Sequence, residues 1–446
     1  MQVKIIFFNY KVNNQSMSKV SSSYLSVDRC LHLLLKGVSL PIRNEEVPTL
    51  QSIGRVLSKD ILARSNIPKY DTSHMDGYAV RSKDIAEASI NNPVYLKISE
   101  HESALGSISN YRLKKTEAIR IHTGGNMPKG SDAVIPIEDT EIIKNEQGIK
   151  IRKPSKPGNF VYSSGSDIKK GSKMILKHQT IYAQHVGLLA TLQFSTVSVY
   201  SKPVVSIIPT GNELTNDIEE TKIKAGSGKI VNINSHILAT LIRELGGDPI
   251  DMGITPDDYL ILREKIKHAL TFSDLLLTVG GTSAGKFDIV KSTISQMEPT
   301  GLLASRIKLD RGRVAGLGAL DGKPIIILPG PIQGALNAFF IFARPLISLL
   351  SGKNQAEPSY VNAILTEEWN SRKKFSDFRK ILYVKLSYSK LKETFYAKPI
   401  TGDTQSISAI SESNAYVIVP EKVIDLLPGA KVKAILIPGF STYFDL

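Results

Sequence analysis

The chain has almost no cysteine. A single one, Cys30, among 446 residues excludes an intrachain disulfide and leaves too few thiolates for a structural zinc or iron–sulfur site. Histidine is scarce as well: eight residues lie scattered with no H-E-x-x-H pair, so any metal is expected to be hard and oxygen-bound. No uninterrupted apolar run approaches the ~20 residues of a membrane span. The N-terminal MQVKIIFFNYKVNNQSMSKV is too polar for a secretory leader and lacks a small-residue cleavage pattern. A soluble, cytoplasmic chain is therefore expected, with residues 1–17 a disordered lead and Met17 an alternative start. Aromatic residues do not interleave with basic runs, and no helix-turn-helix or RNA-binding signature is present. Lysine and arginine still exceed aspartate and glutamate by 56 to 42, a net charge of +14. The excess points to a solvated basic surface or a small anionic substrate, with neither nucleic acid nor membrane as partner.

What is present is a long chain of ordinary globular composition, 42% hydrophobic and 22% charged, with room for several domains of roughly 100–200 residues. From Lys202 onward, short apolar runs alternate with helical spacing, the pattern of a parallel sheet. Val204 to Ile208 reads as a strand closing at Pro209-Thr210-Gly211. Leu238, Leu241, Ile242 and Leu245 form a helical face ending at Gly246-Gly247, with Asn234 or Ser235 as its cap. Pro249–Ile254, a helix through Tyr259–Leu270, and a buried strand Leu275–Val279 follow. A hairpin through Ile307–Leu317, the strand Ile325–Leu328 and a helix carrying Leu336, Phe339, Phe340, Ala343 and Leu346 close the module. Its post-strand loops, Thr210–Leu214, Gly280–Asp288 and Pro329–Gly334, should share one rim, where such sheets bind ligands. Residues 71–162 read as a β-rich insert, Ser26–Leu40 and Thr180–Leu192 as helices that pair across it, and the tail after Gln355 as a small β-barrel or sandwich.

The most informative loop is GGTSAGKFDIVK, Gly280–Lys291. Gly280, Gly285 and Lys286 match the G-x-x-x-x-G-K part of a phosphate loop, but Phe287 stands where a hydroxyl would reach Mg²⁺. Four segments place an acid beside glycine or small residues: Ser73–Tyr78 with Asp76, Ser164–Asp167, Thr210–Leu214 with Glu213, and Gly285–Asp288. Each alone is an ordinary turn or helix start. A fifth segment, Arg120–Pro128, offers the Thr123 hydroxyl and backbone amides around Gly124 to an oxyanion.

In order and at compatible spacing, these five segments resemble the molybdopterin molybdenumtransferase family, whose eukaryotic relative is the C-terminal domain of gephyrin. Ser73–Ala79 fits the pattern S-x-M-D-G-Y-A, and Arg120–Val134 fits R-I-x-T-G-x-x-x-P-x-G-x-D-A-V. Gly165–Ile168, Thr210–Leu214 and Gly280–Asp288 fit G-x-D-I, T-G-D/N-E-L and G-G-x-S-x-G-x-x-D. The resemblance covers nearly the whole chain from Ser26. It implies a multidomain α/β plus β protein: a discontinuous helical linker domain (18–70 and 163–199), the β-rich insert (71–162), an α/β molybdopterin-binding domain (200–352) and a C-terminal β-barrel (356–446). It further implies a homodimeric, cytoplasmic transferase of molybdenum cofactor biosynthesis that inserts molybdate or tungstate into adenylylated molybdopterin and releases AMP with Mg²⁺ assisting. The molybdopterin adenylyltransferase is an implied partner. Asp76, Asp167, Glu213 and Asp288 are the implied catalytic carboxylates and metal ligands, oxygen donors suited to a divalent cation on a pyrophosphate. Thr123, Gly124, Thr210, Gly211, Gly280, Gly281, Ser283, Gly285, Lys291, Arg313, Pro329 and Gly330 are the implied substrate contacts.

The chain departs from the family pattern in three places. The usual P-G-N-P-x-S-A loop is Pro329-Gly330-Pro331-Ile332-Gln333-Gly334-Ala335, the usual G-E is Gly285-Lys286, and a basic hairpin position is Asp310, while Arg313 keeps the next. Two alternatives remain open at this point, an adenylyltransferase of molybdopterin and a non-catalytic molybdopterin-binding or scaffold protein. The flanking domains disfavour the first and the four carboxylates the second.

Overall fold

A computed structural model describes residues 23–103, 111–143, 147–217, 229–281, 288–353, 358–403 and 405–438. Ser283, Gly285, Lys286 and Phe287 fall outside the described residues. The chain divides into two compact units. One comprises residues 1–58, 178–182 and 196–446, the other residues 59–177 and 183–195.

The first unit is built on the alternating segment. Helix α1, Val27–Gly37, precedes the strands and helices β1 Val204–Thr210, α2 Ile233–Glu244, β2 Asp248–Asp251, α3 Tyr259–Phe272, β3 Leu275–Gly280, α4 Ile289–Ser295, β4 Thr300–Ala304, β5 Gly316–Leu320, β6 Lys323–Leu328 and α5 Ile332–Leu350. The sheet order is β2-β1-β3-β6-β5-β4. The first four strands are mutually parallel and the last three run antiparallel in sequence.

Both faces of this sheet are covered, which is why its central strands read as unbroken apolar runs. Leu275, Leu277, Ile326 and Leu328 point to one side and meet α1, α2 and α5 through Val27, Leu238 and Phe339. Leu276, Ile325 and Ile327 point to the other and meet Leu262, Ile266, Val290 and Ile294 of α3 and α4. The hairpin lies elsewhere than expected: its strands are 300–304 and 316–320, and Ile307–Ala315 is the connection between them. The cap of α2 is Asn232, whose side chain accepts from Ser235 N, rather than Asn234 or Ser235.

Helix α5 is apolar and 19 residues long, enough to cross a bilayer by length and composition, yet 89% of it is buried in the core. It carries a π-helical turn at Phe339–Ala343. Pro345 lies two residues beyond it; it has no N–H for the carbonyl one turn back, and the wider turn absorbs that mismatch. Phe340 stacks on Tyr416 at 4.5 Å and 17°, which locks the helix onto the C-terminal module. That module is a closed five-stranded barrel of Tyr360–Leu365, Thr394–Pro399, Lys380–Ser389, Ala415–Val419 and Lys431–Leu436.

The second unit holds a six-stranded sheet in the order Ala133–Pro136, Gly77–Val80, Glu117–Ile121, Val94–Ser103, Gly148–Ile151, Thr140–Ile143. Tyr78, Val80, Leu96, Ile135 and Ile149 fill its core. Gly77 has no substitute there, because a Cβ would fall inside contact with the Ile135 carbonyl of the neighbouring strand. Helix Ala183–Thr191 belongs to this unit. The helix expected to pair with it, Val27–Gly37, buries Val27, Cys30 and Leu34 in the α/β core of the other.

Candidate functional site

Strand order places a reversal between β1, which leads outward to β2, and β3, which leads inward to β6. In open α/β sheets the crevice at the carboxyl ends of such strands is the ligand site. Here Thr210 and Gly280 are register partners, so the two strands end flush. Gly280 has φ +87, and a Cβ there would press into the Thr210 carbonyl; only glycine lets the chain turn this close to its neighbour. A Cβ on Gly281 would lie 2.8 Å from Val290 and 3.1 Å from Thr210. Gly281 is thus packed between the end of β1 and the start of α4. Asn234, in the first turn of α2, donates from Nδ2 to the Gly330 carbonyl at 2.8 Å and ties the loop after β6 to the same rim. The hydroxyls of Thr210 and Thr255 are buried with no hydrogen-bond partner among the described residues.

Two of the expected carboxylates stand on this rim's loops. Glu213 is exposed and folds back over Gly211: a Cβ on Gly211 would lie 2.6 Å from its carboxylate. Asp288 caps α4, accepting from Lys291 N at 3.0 Å on Oδ1. Its Oδ2 pairs with Lys291 Nζ at 2.9 Å, with side chains only 13% and 12% exposed. That contact is electrostatic, off the line of a hydrogen bond, so Oδ2 is buried with no hydrogen-bond donor. Lys291 is thus committed to Asp288 in this structure instead of standing free for a phosphate. Arg313 stacks its guanidinium on the Phe375 ring at 4.7 Å.

The other two carboxylates belong to the second unit. Asp76 follows the strand Thr72–Ser73, and its Oδ1 accepts from Thr123 N at 2.7 Å and Thr123 Oγ1 at 3.2 Å. These hydrogen bonds, the backbone one foremost, hold its carboxyl below the usual carboxylate range, with a smaller contribution from His122. His122 stands 3.7 Å from Asp76 through Nδ1 and 2.8 Å from Glu102 through Nε2. The Thr123 amide and hydroxyl, expected to receive an oxyanion, are therefore already engaged in fixing Asp76. Gly124 donates to the Ser73 carbonyl at 2.8 Å and holds the two loops together. Asp167 is exposed in a turn that Asn66 braces, through Ser164 Oγ at 3.0 Å and Lys170 N at 2.9 Å. The turn adjoins the Asp76 strand, since Val161–Tyr162 pairs with Thr72–Ser73 and Asp71 accepts from Ser164 N at 2.7 Å.

Each unit therefore carries two of the expected carboxylates, and among the described residues no three His, Cys, Asp or Glu side chains converge as a complete metal site. Hard oxygen donors are nonetheless what Mg²⁺ takes, and Asp288 Oδ2 has the free acceptor capacity such an ion would use. Sequence reasoning missed Asn234 as a rim tie, and it missed Glu102 and His122 beside Asp76. Their sequence separation of 20 carries no periodic signal.

Comparisons with known proteins agree between residues 25 and 437. Residues 25–192 match the MoeA N-terminal region (domain I and II), 206–348 a probable molybdopterin binding domain, and 362–437 the MoeA C-terminal region (domain IV). The chain is 30% identical over 416 residues to the molybdopterin molybdenumtransferase of Bacillus subtilis, covering 92% of this chain and 93% of that one. It is 29% identical to the Staphylococcus epidermidis molybdopterin molybdenumtransferase over 404 residues, 91% and 93% of the two chains. The solved molybdopterin biosynthesis MoeA protein of Pyrococcus horikosii superposes with a TM-score of 0.82 at 30% identity, covering 94% of this chain and all of that one.

Proposed function

The chain belongs to the molybdopterin molybdenumtransferase family, and from that premise we propose that it inserts molybdate or tungstate into adenylylated molybdopterin, releasing AMP. Asp76, Asp167, Glu213 and Asp288 are the acidic groups we assign to the reaction, with Mg²⁺ as the ion they hold. The observation that carries this reading is Asp288: a largely buried carboxylate at the ligand rim of the sheet, with one oxygen fixed by its own helix and the other without a hydrogen-bond donor.

When bound, Mg²⁺ would neutralise and polarise the pyrophosphate of the substrate. The remaining work falls to the chain. Gly280 and Gly281 let the backbone turn tightly against Thr210 and Val290, which shapes the rim offered to a phosphate-bearing ligand. The capping bond to Lys291 N and the ion pair to its ammonium hold Asp288 in one orientation, which lowers the side-chain entropy lost on binding. In the insert, Thr123 fixes one oxygen of Asp76 and leaves the other facing outward as an acceptor.

A cytoplasmic homodimer is part of this reading. The two carboxylate pairs lie on separate units, and a cleft shared between subunits would combine Asp76 of one with Asp288 of the other. Purified monomer that still released AMP would overturn that element.

The direct test supplies the purified protein with adenylylated molybdopterin, Mg²⁺ and molybdate or tungstate, and follows AMP. Oxyanion-dependent release is expected. ATP-dependent formation of the adenylylated compound would replace the reading with adenylyl transfer, and tight binding without turnover would replace it with a storage or scaffold role.

A further inference from the structure

The ligand rim lies at the carboxyl ends of the strands, and the opposite edge of the same sheet carries a cavity of about 180 Å³. It sits before Val204, where β1 begins, and β1 runs seven residues to Thr210. At ~3.3 Å per residue the rim is roughly 20 Å away, too far for one small ligand to touch both. Four cations reach the cavity wall, Arg55, Lys202, Arg243 and Lys353, and no aspartate or glutamate does. They come from four separate stretches of the first unit: the segment ahead of the second unit, the approach to β1, the last turn of α2 and the residues past α5.

Part of this charge has an ordinary explanation. Cations favour helix C-termini, and Lys353 donates from Nζ to the Leu245 carbonyl at 3.2 Å, where α2 ends. Arg55 donates to the Glu45 carboxylate and, at 2.8 Å, to the Tyr200 carbonyl. Lys202 stands 3.6 Å from Asp248, a loose and exposed pair of little worth. Two carboxylates thus stand against four cations. The Arg243 guanidinium has no hydrogen bond or ion pair among the described residues. Lys353 has only a neutral carbonyl: burial pushes its ammonium below the ordinary lysine value, Arg344 adds to the effect, and no carboxylate opposes it. A part-buried ammonium without a counter-charge is costly, and an anion in the cavity would remove that cost. The helix dipoles account for a cation at either helix end. They do not account for Arg55 and Lys202, on non-helical segments, lining the same space. A cavity of about 150 Å³ holds benzene, so this one admits a tetrahedral oxyanion and excludes a whole nucleotide.

We propose that this cavity binds a tetrahedral dianion of the phosphate class, held between Arg243 and Lys353 with Arg55 and Lys202 completing the positive wall. The site is independent of the transferase reading: a chain that releases no AMP still binds the ion. Orthophosphate and molybdate share this chemistry and separate in the test.

Each is titrated into the full-length protein by isothermal calorimetry, with ionic strength held constant by chloride, and hydrogen exchange locates the bound ion. Saturable binding is expected, the tighter of the two naming the ion, with exchange slowed across residues 53–56 and 243–246. Arg243→Gln and Lys353→Gln should each weaken binding about tenfold, with far-UV circular dichroism unchanged. Lys173→Gln, which removes a cation of the second unit, should leave it unaltered. Arg243 is exposed, so its variant carries the test even where loss of Lys353 unfolds the chain. The absence of saturable binding at millimolar concentration would overturn the proposal. So would wild-type affinity in the folded variants, or exchange slowed only across Leu275–Gly280, which would place the ion at the rim.

Discussion

Replacing Asp288 with alanine removes two interactions at once, and replacing it with asparagine removes only one. The capping bond to Lys291 N contributes about 1 kcal/mol, and asparagine caps as well as aspartate. The ion pair to Lys291 is harder to replace. Exposed pairs are worth about 0.2–1 kcal/mol, whereas stripping one partner from a buried pair costs about 3–5 kcal/mol. With the two side chains 13% and 12% exposed, this pair stands closer to the buried limit. The lysine's flexible stem lets its ammonium turn toward water, which brings the expected loss to about 2 kcal/mol. Asp288→Asn should therefore cost about 2 kcal/mol and Asp288→Ala about 3 kcal/mol. Urea unfolding gives the two values, and hydrogen exchange across Ile289–Ser295 gives the local part. Adding Lys291→Ala to Asp288→Ala should restore about 1–2 kcal/mol, because the stranded charge is gone. Both single variants should lose AMP release, since neither supplies an anionic ligand. Equal stabilities of the alanine and asparagine variants would refute the capping role. Wild-type turnover in Asp288→Asn would refute the assignment of this carboxylate to the reaction.

Three further outcomes follow from the same geometry. The depressed carboxyl of Asp76 contributes stability above the unfolded pKa, near 3.9, and loses it as pH falls through the lower folded value; Thr123→Val keeps the stronger backbone hydrogen bond, so carboxyl NMR should show the titration moving only part of the way back up. Gly77→Ala drives a methyl into the Ile135 carbonyl and should destabilise the second unit by about 3 kcal/mol, read as earlier loss of hydrogen-exchange protection across Gly77–Val80 on heating; unchanged protection would contradict the strand spacing. Tyr383→Phe removes the 3.0 Å hydrogen bond to Asn337 Oδ1 in a fully buried setting and should cost about 1–3 kcal/mol, with calorimetry as the check.

The parallel sheet was legible because its strands are buried on both faces: Leu275–Val279 and Ile325–Leu328 carry no polar alternation to confuse them with a surface strand. The hairpin was misplaced for the opposite reason. Thr300–Ala304 and Gly316–Leu320 are rich in glycine and alanine, which pack well under α1 but carry little strand propensity. The cap of α2 was missed by two residues because Asn232, Asn234 and Ser235 are all good capping residues; the structure gives the cap to the first and the tie to Gly330 to the second. In the site, carboxylates beside glycine were readable from spacing. Their neighbours were not, since Glu102 reaches His122 across strands whose pairing no local pattern specifies, and Lys291 is claimed by Asp288 through a helix turn that reads equally well as a solvated face.

The division of the chain also sets an order of manufacture. Helix α1 is made early, yet its buried face, Val27, Cys30 and Leu34, is completed by β4 and β5, which leave the ribosome roughly 260 residues later, about 13–52 s at 5–20 residues per second. Meanwhile everything the second unit needs, ending at residue 195, has already emerged. The insert is thus free to fold while the helix ahead of it waits with an apolar stripe uncovered until β4 and β5 arrive.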